Sequence, residues 1–159
     1  MSIANIHEMD ELRDLYRELI LDHARNPRHF GRLEAATHMA RGVNPLCGDQ
    51  LQLFLRLDAE QGIADASFEG SGCAISVASA SLLTETIIGL PVPAALELFA
   101  TLTEQLRTGS CSGNMAPAFE KLRALHGVHE FPARVKCATL AWHALETAIH
   151  NRASPATTE

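Results

Sequence analysis

The stretch Leu51-Gln52-Leu53-Phe54-Leu55-Arg56-Leu57-Asp58 decides the fold, because a leucine stands at every second position. Alternation with a period of two is typical of a β-strand that buries one face. Phe54 interrupts the polar set on the other face, so we expect that face to be partly covered as well. Residues 38–43 give a weaker strand signal before this stretch, and residues 63–69 predict a third strand after the turn at 59–62. Adjacent strands of such a meander are expected to be antiparallel.

Helical periodicity surrounds these strands on both sides. The predicted helices are residues 8–25, 75–88, 94–107, 116–125 and 132–150. Asn26-Pro27 ends the first helix, since the residue before a proline avoids helical geometry. Pro132 starts the last helix, because proline suits a first helical position. The segment 151–159 carries serine, proline and threonine, and we expect it to be a disordered tail.

The order of elements predicts a fold of the α+β class: a small three-stranded antiparallel sheet packed against several α-helices, in one domain over residues 1–150. The net charge is −6, and no cluster of lysine and arginine suggests a nucleic-acid surface. No apolar run approaches the roughly 20 residues that cross a bilayer, and no secretory signal is visible. We therefore expect a cytoplasmic protein that binds neither nucleic acid nor membrane, and whose four cysteines stay reduced.

Three short segments carry residues suited to one metal ion. They are Asn44-Pro45-Leu46-Cys47-Gly48-Asp49, Gly70-Ser71-Gly72-Cys73-Ala74-Ile75-Ser76 and Arg134-Val135-Lys136-Cys137-Ala138-Thr139. Thiolates and carboxylates bind zinc, so the candidate ligands are Cys47, Asp49, Cys73 and Cys137. Cys73 precedes a predicted helix, where backbone amides and the helix dipole favour the thiolate.

The charge of such a site needs compensation. Three thiolates and one carboxylate carry more negative charge than a divalent cation neutralises. Arg134 and Lys136 flank Cys137 closely enough to compensate the excess negative charge if their side chains turn inward. The spacing by itself leaves an alternative open, because the chain has no Cys-x-x-Cys pair. In that alternative, Cys73 and Cys137 are small buried hydrophobes and Asp49 is an ordinary loop carboxylate.

At these segments the sequence resembles the iron–sulfur assembly family that contains IscU and the NifU N-terminal domain. The similar stretches are residues 22–27, 44–49, 68–81 and 131–142, and the likeness spans about residues 10–150. The scaffold branch of that family carries a histidine directly before the third cysteine, where this chain has Lys136. Its Pro-Pro-Val-Lys segment is replaced here by Pro132-Ala133-Arg134-Val135-Lys136, and the stretch between Gly89 and Phe131 is longer. These departures resemble the SufU branch.

The resemblance implies an IscU/SufE-like fold and a Zn²⁺ bound by Cys47, Asp49, Cys73 and Cys137. It also implies that Cys47 is a sulfur acceptor, in a sulfurtransferase-like reaction with Arg134 and Lys136 in support. The implied partners are a pyridoxal-phosphate-dependent, SufS-like cysteine desulfurase and a downstream iron–sulfur scaffold.

Two other functions remain open from the sequence. The same four residues could hold iron or a transient [2Fe–2S] cluster on a scaffold, or zinc could stabilise a non-catalytic adaptor. Outside these segments, we expect Cys111 to be an incidental loop cysteine. We expect His126 and His129 to be surface histidines of a loop.

Overall fold

The structure, a computed structural model, describes residues 3–109, 120–150 and 156–158, with side chains from residue 14 onward. Its elements are α1 (Ile3–Arg25), β1 (His38–Asn44), β2 (Asp49–Leu57), β3 (Ile63–Ser71), α2 (Ala74–Ile87), α3 (Val92–Thr108), a 3₁₀ helix (Lys121–Glu130), α4 (Pro132–Ile149) and β4 (Ala156–Thr157). No helix in these ranges is both long enough and apolar enough to span a membrane.

The leucine-rich strand lies at the centre of the sheet as β2. It pairs antiparallel with β1 on one side and with β3 on the other. Leu51, Leu53 and Leu55 are buried in the main core. Phe54, on the opposite face, is 1% exposed, which confirms the prediction that the second face is covered too.

The prediction of a three-stranded, purely antiparallel sheet is wrong. The sheet has four strands in the order β3-β2-β1-β4, and β4 runs parallel to β1. Gly42 pairs with Ala156 and Val43 with Thr157, and the amide of Thr158 donates to the Val43 carbonyl at 3.3 Å. Without β4, this part of β1 would be an edge with unpaired backbone groups. Backbone pairing needs no apolar run, so an interpretation based on side-chain patterns assigned no strand to the segment 151–159.

The described part of the chain has five helices, the number predicted, but several of them begin or end at other residues than predicted. Predicted helices 75–88 and 132–150 match α2 and α4 closely, whereas α1 begins at Ile3 rather than at residue 8. α3 begins at Val92, two residues before the predicted start, because proline is tolerated in a first helical turn. Of predicted helix 116–125, residues 116–119 lie outside the described residues, Glu120 caps the next element and residues 121–125 are 3₁₀ helix. That 3₁₀ helix continues through His126 and His129, which the sequence placed in a loop.

α2 and α4 cover one face of the sheet and are tied to each other by a buried tryptophan. Trp142 is fully buried, and its Nε1 donates to Ser79 Oγ at 3.2 Å. Ser79 Oγ in turn donates to the carbonyl of Ala138 at 2.5 Å. Ala138 directly follows Cys137, so this connection fixes the turn of α4 that carries the cysteine.

A buried histidine connects the end of α1 to α2. His23 is 1% exposed and its Nδ1 lies 2.7 Å from Ser81 Oγ, which also accepts the amide of Arg28 at 2.8 Å. On the other side of the ring, Nε2 lies 3.6 Å from Glu85 Oε1. Burial, with a smaller effect from the charge of Arg28, lowers the pKa of His23, although Glu85 opposes this.

We expect His23 to make the protein less stable at acidic pH. Its pKa in the folded state lies below the unfolded value of about 6.5. Its contribution to stability is therefore complete above that pH and is lost as the pH falls towards the folded pKa. The variant His23→Gln should unfold more easily at pH 8, by about 1–3 kcal/mol, since Ser81 loses its partner. It should also lose less stability than the unaltered protein between pH 8 and pH 5.5.

Urea unfolding at a series of pH values measures both effects. The metal-site cysteines are the same in both proteins, so their acid sensitivity cancels in the comparison. His150→Gln, at an exposed position after α4, is the matched control and should keep the full pH dependence. Equal pH dependence in His23→Gln and the unaltered protein would contradict the prediction.

Candidate metal centre

A tight hairpin between β1 and β2 presents the first two candidate ligands. Asn44 and Asp49 are cross-strand partners, and residues 45–48 form the loop between them. The Asn44 carbonyl accepts the amides of Cys47 at 3.3 Å and Gly48 at 2.9 Å. Gly48 has φ +72°, a left-handed conformation that suits glycine. The turn leaves Cys47 exposed at its tip, while Asp49 is fully buried at the start of β2.

The third candidate ligand stands where β3 gives way to α2. Cys73 is the residue immediately before α2, as predicted, with extended backbone angles of φ −69° and ψ 164°. Its amide donates to Asp49 Oδ1 at 2.9 Å, so the carboxyl group sits at the positive end of the helix. Gly72 makes this approach possible, because a Cβ atom on it would lie 2.5 Å from Asp49 Oδ1.

The fourth candidate ligand comes from α4. Cys137 is 1% exposed, and its Sγ lies 3.7 Å from Cys47 Sγ. The side-chain Nδ2 of Asn44, at the end of β1, lies 3.8 Å from the same sulfur. The hairpin and the last helix, far apart in sequence, therefore meet at Cys137.

The structure brings all four predicted residues together. Cys47, Asp49 and Cys137 each place a ligand atom within 4.8 Å of the others, and Cys73 Sγ lies 3.9 Å from Asp49 Oδ2. Tetrahedral zinc with Zn–S bonds of about 2.3 Å has neighbouring donors about 3.8 Å apart. The spacing of Cys47, Asp49 and Cys137 fits one Zn²⁺, while Cys73 lies beside Asp49 but outside this group. The role of all four residues as zinc ligands stays a prediction.

The electrostatics of the cluster also fit a cation. Burial raises the pKa of the Cys137 thiol far above its usual range, and Asp49, Cys73 and Cys47 raise it further. Such a thiol keeps its proton at neutral pH unless a positive charge stabilises the thiolate. A divalent cation among the four side chains supplies that charge.

The predicted supporting cations stand at the start of α4. Arg134 is exposed and Lys136 is half-buried. Within the described ranges neither of them forms an ion pair. Compensation of the site's charge by these two side chains therefore stays a prediction.

Sequence reasoning missed one residue of the site. Asn44 was quoted as part of the first segment but was given no role. Its place beside a turn offered a weak signal, since asparagine is common there. Nothing in the sequence indicates that its amide meets Cys137, a residue 93 positions away.

Known proteins similar to this chain include a zinc-dependent sulfurtransferase and an iron–sulfur cluster assembly scaffold protein. The profile of the NifU-like N-terminal domain family matches residues 15–156. The zinc-dependent sulfurtransferase SufU of Bacillus subtilis is 40% identical over 138 residues, which cover 87% of this chain and 91% of the relative. The iron–sulfur cluster assembly scaffold protein IscU of Streptococcus pyogenes is 38% identical over 149 residues, which cover 92% and 89%.

A solved structure is similar to this chain in both sequence and fold. It is the crystal structure of a candidate iron–sulfur cluster assembly scaffold protein for the SUF system from Fervidobacterium islandicum AW-1. Its sequence is 34% identical, its TM-score is 0.71, and the match covers 83% of this chain and 94% of that one.

We expect Gly72→Ala to weaken metal binding without touching a donor atom. The added methyl group would push the Asp49 carboxyl group away from the Cys73 amide. Changes to groups that orient metal ligands typically reduce affinity about 10–100-fold, so we expect a loss of that size. Competition for zinc with a coloured chelator measures it. Gly127→Ala, where an added Cβ has no heavy atom within 4 Å, is the matched control. Unchanged zinc affinity in Gly72→Ala would contradict this account of Asp49.

Proposed function

This chain belongs to the family of NifU-like N-terminal domains, and we propose that it acts in iron–sulfur cluster assembly as a zinc-dependent sulfur acceptor. In this proposal Cys47 takes sulfur from the persulfide of a SufS-like cysteine desulfurase and passes it to a downstream iron–sulfur scaffold. The zinc-dependent sulfurtransferase among the relatives supports this choice within the family.

The observation that carries the proposal is the difference in solvent exposure between two neighbouring sulfurs. Cys47 and Cys137 lie 3.7 Å apart, yet Cys47 is exposed on a hairpin loop and Cys137 is buried in α4. A persulfide on another protein can approach Cys47 without displacing the core. Cys47 is exposed on a loop of four residues, so its side chain can turn outward while β1 and β2 stay paired.

The chemistry is an exchange on a sulfur–sulfur bond. The Cys47 thiolate attacks the outer sulfur of the desulfurase persulfide, and a new S–S bond forms on Cys47. The S–S bond of the desulfurase breaks, and its cysteine leaves as a thiolate, so the step needs no oxidant or reductant. Bound zinc would keep the site's thiolates deprotonated and protected from oxidation before the partner docks.

The chain's own residues have three roles in this step. Cys47 supplies the nucleophile, while Asp49, Cys73 and Cys137 hold the site together when Cys47 leaves it. Arg134 and Lys136, at the start of α4, would stabilise the anionic persulfide that forms.

A second function is favoured by a specific observation. The scaffold relative IscU is 38% identical over 149 residues, and three thiolates with one carboxylate could hold a [2Fe–2S] cluster. Against this stands Lys136, which occupies the place directly before Cys137 where the scaffold branch carries a histidine. We therefore rank the scaffold second to the sulfur acceptor, and a zinc-stabilised adaptor third.

Replacing the acceptor should abolish stimulation of the desulfurase. Purified protein is mixed with the desulfurase, cysteine and a reductant, and sulfide production is measured over time. We expect Cys47→Ala to reduce sulfide production to the rate of the desulfurase alone, since no thiolate remains to accept sulfur. Zinc content and thermal unfolding are measured on the same samples to show that the variant is folded.

The matched control for this assay is Cys111→Ala. Cys111 lies outside the described residues, and its sequence context places no other candidate ligand beside it. This control should stimulate the desulfurase as well as the unaltered protein. Stimulation that survives Cys47→Ala would disprove the acceptor assignment and would favour the adaptor.

Metal content separates the sulfur acceptor from the scaffold. We expect protein purified without oxygen to be colourless and to contain about one zinc per chain. Removal of zinc by a chelator should lower the melting temperature, since metal binding to the folded state contributes folding free energy. Brown protein that contains iron and sulfide, and that passes its cluster to an apo-acceptor, would favour the scaffold instead.

A further inference from the structure

We infer that Asn44 makes the two neighbouring sulfurs of the site unequal. Its side-chain amide retains Cys137 as a permanent sulfur ligand, so that Cys47 is the sulfur that detaches. This inference rests on the proposed function, because it explains which thiolate becomes free to accept sulfur. Asn44 is thus a positioning residue that acts through Cys137.

The first observation is the contact itself. Asn44 is fully buried at the end of β1, and its Nδ2 lies 3.8 Å from Cys137 Sγ. Sulfur is a large acceptor, so N–H···S hydrogen bonds are longer than those to oxygen. Among the described contacts of Cys47, by contrast, its sulfur meets only the thiol of Cys137.

The second observation is that the backbone of the same residue holds the loop of the other sulfur. The Asn44 carbonyl accepts the amides of Cys47 and Gly48. The side chain of Asn44 therefore acts on Cys137 while its main chain anchors the Cys47 loop. Both sulfurs are positioned from one rigid point, where β1 is paired with β2.

The third observation is a buried polar atom without a partner. Within the described part of the chain, Asn44 Oδ1 is buried and accepts no hydrogen bond. A buried acceptor left unsatisfied destabilises a protein, whereas an apolar side chain of the same shape would avoid that cost. An amide at this position is therefore better explained by what its Nδ2 does for the sulfur than by packing.

A hydrogen bond to a thiolate has two chemical consequences. It stabilises the negative charge on sulfur, and it makes the sulfur's electrons less available to an electrophile. Groups that hydrogen-bond metal ligands also fix their orientation. Both effects keep Cys137 in place and unreactive, and the Cys47 sulfur receives neither from Asn44.

The order of thiol alkylation tests the inference first in the unaltered protein. Zinc-loaded protein is treated with iodoacetamide, and each modified cysteine is quantified by peptide mass spectrometry. We expect Cys47 to react at least about tenfold faster than Cys137. Equal rates, or a faster reaction at Cys137, would overturn the inference without any variant.

The variant Asn44→Leu then separates the hydrogen bond from burial. Leucine has nearly the shape of asparagine but neither donates nor accepts, so Cys137 stays buried. We expect the rate preference for Cys47 over Cys137 to fall about tenfold, the range seen when a group bonded to a metal ligand is removed. Asn44→Ala should act in the same direction and serves if leucine does not fold.

Thr84→Val is the matched control, because it also removes a buried hydrogen-bonding group while keeping the shape of the side chain, and the described partners of Thr84 in α2 include no sulfur. It should keep the preference of the unaltered protein. If folded, zinc-loaded Asn44→Leu or Asn44→Ala also keeps it, the inference is wrong.

Cobalt(II) substitution gives a spectroscopic readout that a merely structural role would not move. A hydrogen bond lowers the energy of sulfur electrons, so its loss should shift the thiolate-to-cobalt charge-transfer band to longer wavelength in Asn44→Leu and Asn44→Ala. Thr84→Val should leave the band unchanged. A band in the same place in all four proteins would count against the hydrogen bond.

Neither measurement uses a desulfurase, so the inference and the proposed function can fail separately. If Cys47→Ala still stimulates the desulfurase while alkylation depends on Asn44, the sulfur-acceptor function fails and the role of Asn44 stands. If Cys47 accepts sulfur while the Asn44 variants behave like the control, the sulfur-acceptor function stands and the role of Asn44 fails.

Discussion

A carboxyl group at the start of β2 accepts a hydrogen bond from the backbone at the start of α2. Asp49 Oδ1 and the amide nitrogen of Cys73 are 2.9 Å apart, and Gly72 provides the space for this approach. The bond joins the β1–β2 hairpin to the strand–helix junction, and each of these segments carries a cysteine. It extends the pairing of β2 with β3, in which Gln50 lies opposite Ser71. The candidate metal centre therefore includes a contact made by a fully buried acidic residue.

The two neighbouring sulfurs, those of Cys47 and Cys137, differ in their exposure to solvent. Cys137 lies in a helix whose position is fixed by Trp142 and Ser79, while Cys47 lies on a four-residue loop at the surface. A sulfur that is to be exchanged with a partner must be reachable, and one that holds the site must not move. The fold places an exposed and a buried sulfur 3.7 Å apart, and our proposal of sulfur transfer starts from that difference.

The fourth strand shows how the sheet supports the site. Val43 pairs with Thr157 and accepts the amide of Thr158, directly before Asn44 and the cysteine loop. β4 therefore braces the end of β1 from the side opposite β2. No local pattern indicated this strand, because two residues that pair through their backbones need no hydrophobic periodicity.

Much of the molecule followed from the sequence itself. The leucine alternation identified β2, Pro27 and Pro132 marked the end of α1 and the start of α4, and the three cysteine segments predicted the four candidate donors. These features are local, since each depends on residues a few positions apart. The parallel β4, the extent of the 3₁₀ helix and the contact of Asn44 with Cys137 were decided only by tertiary structure. Each depends on backbone pairing or on contacts between residues distant in sequence, which no local pattern records.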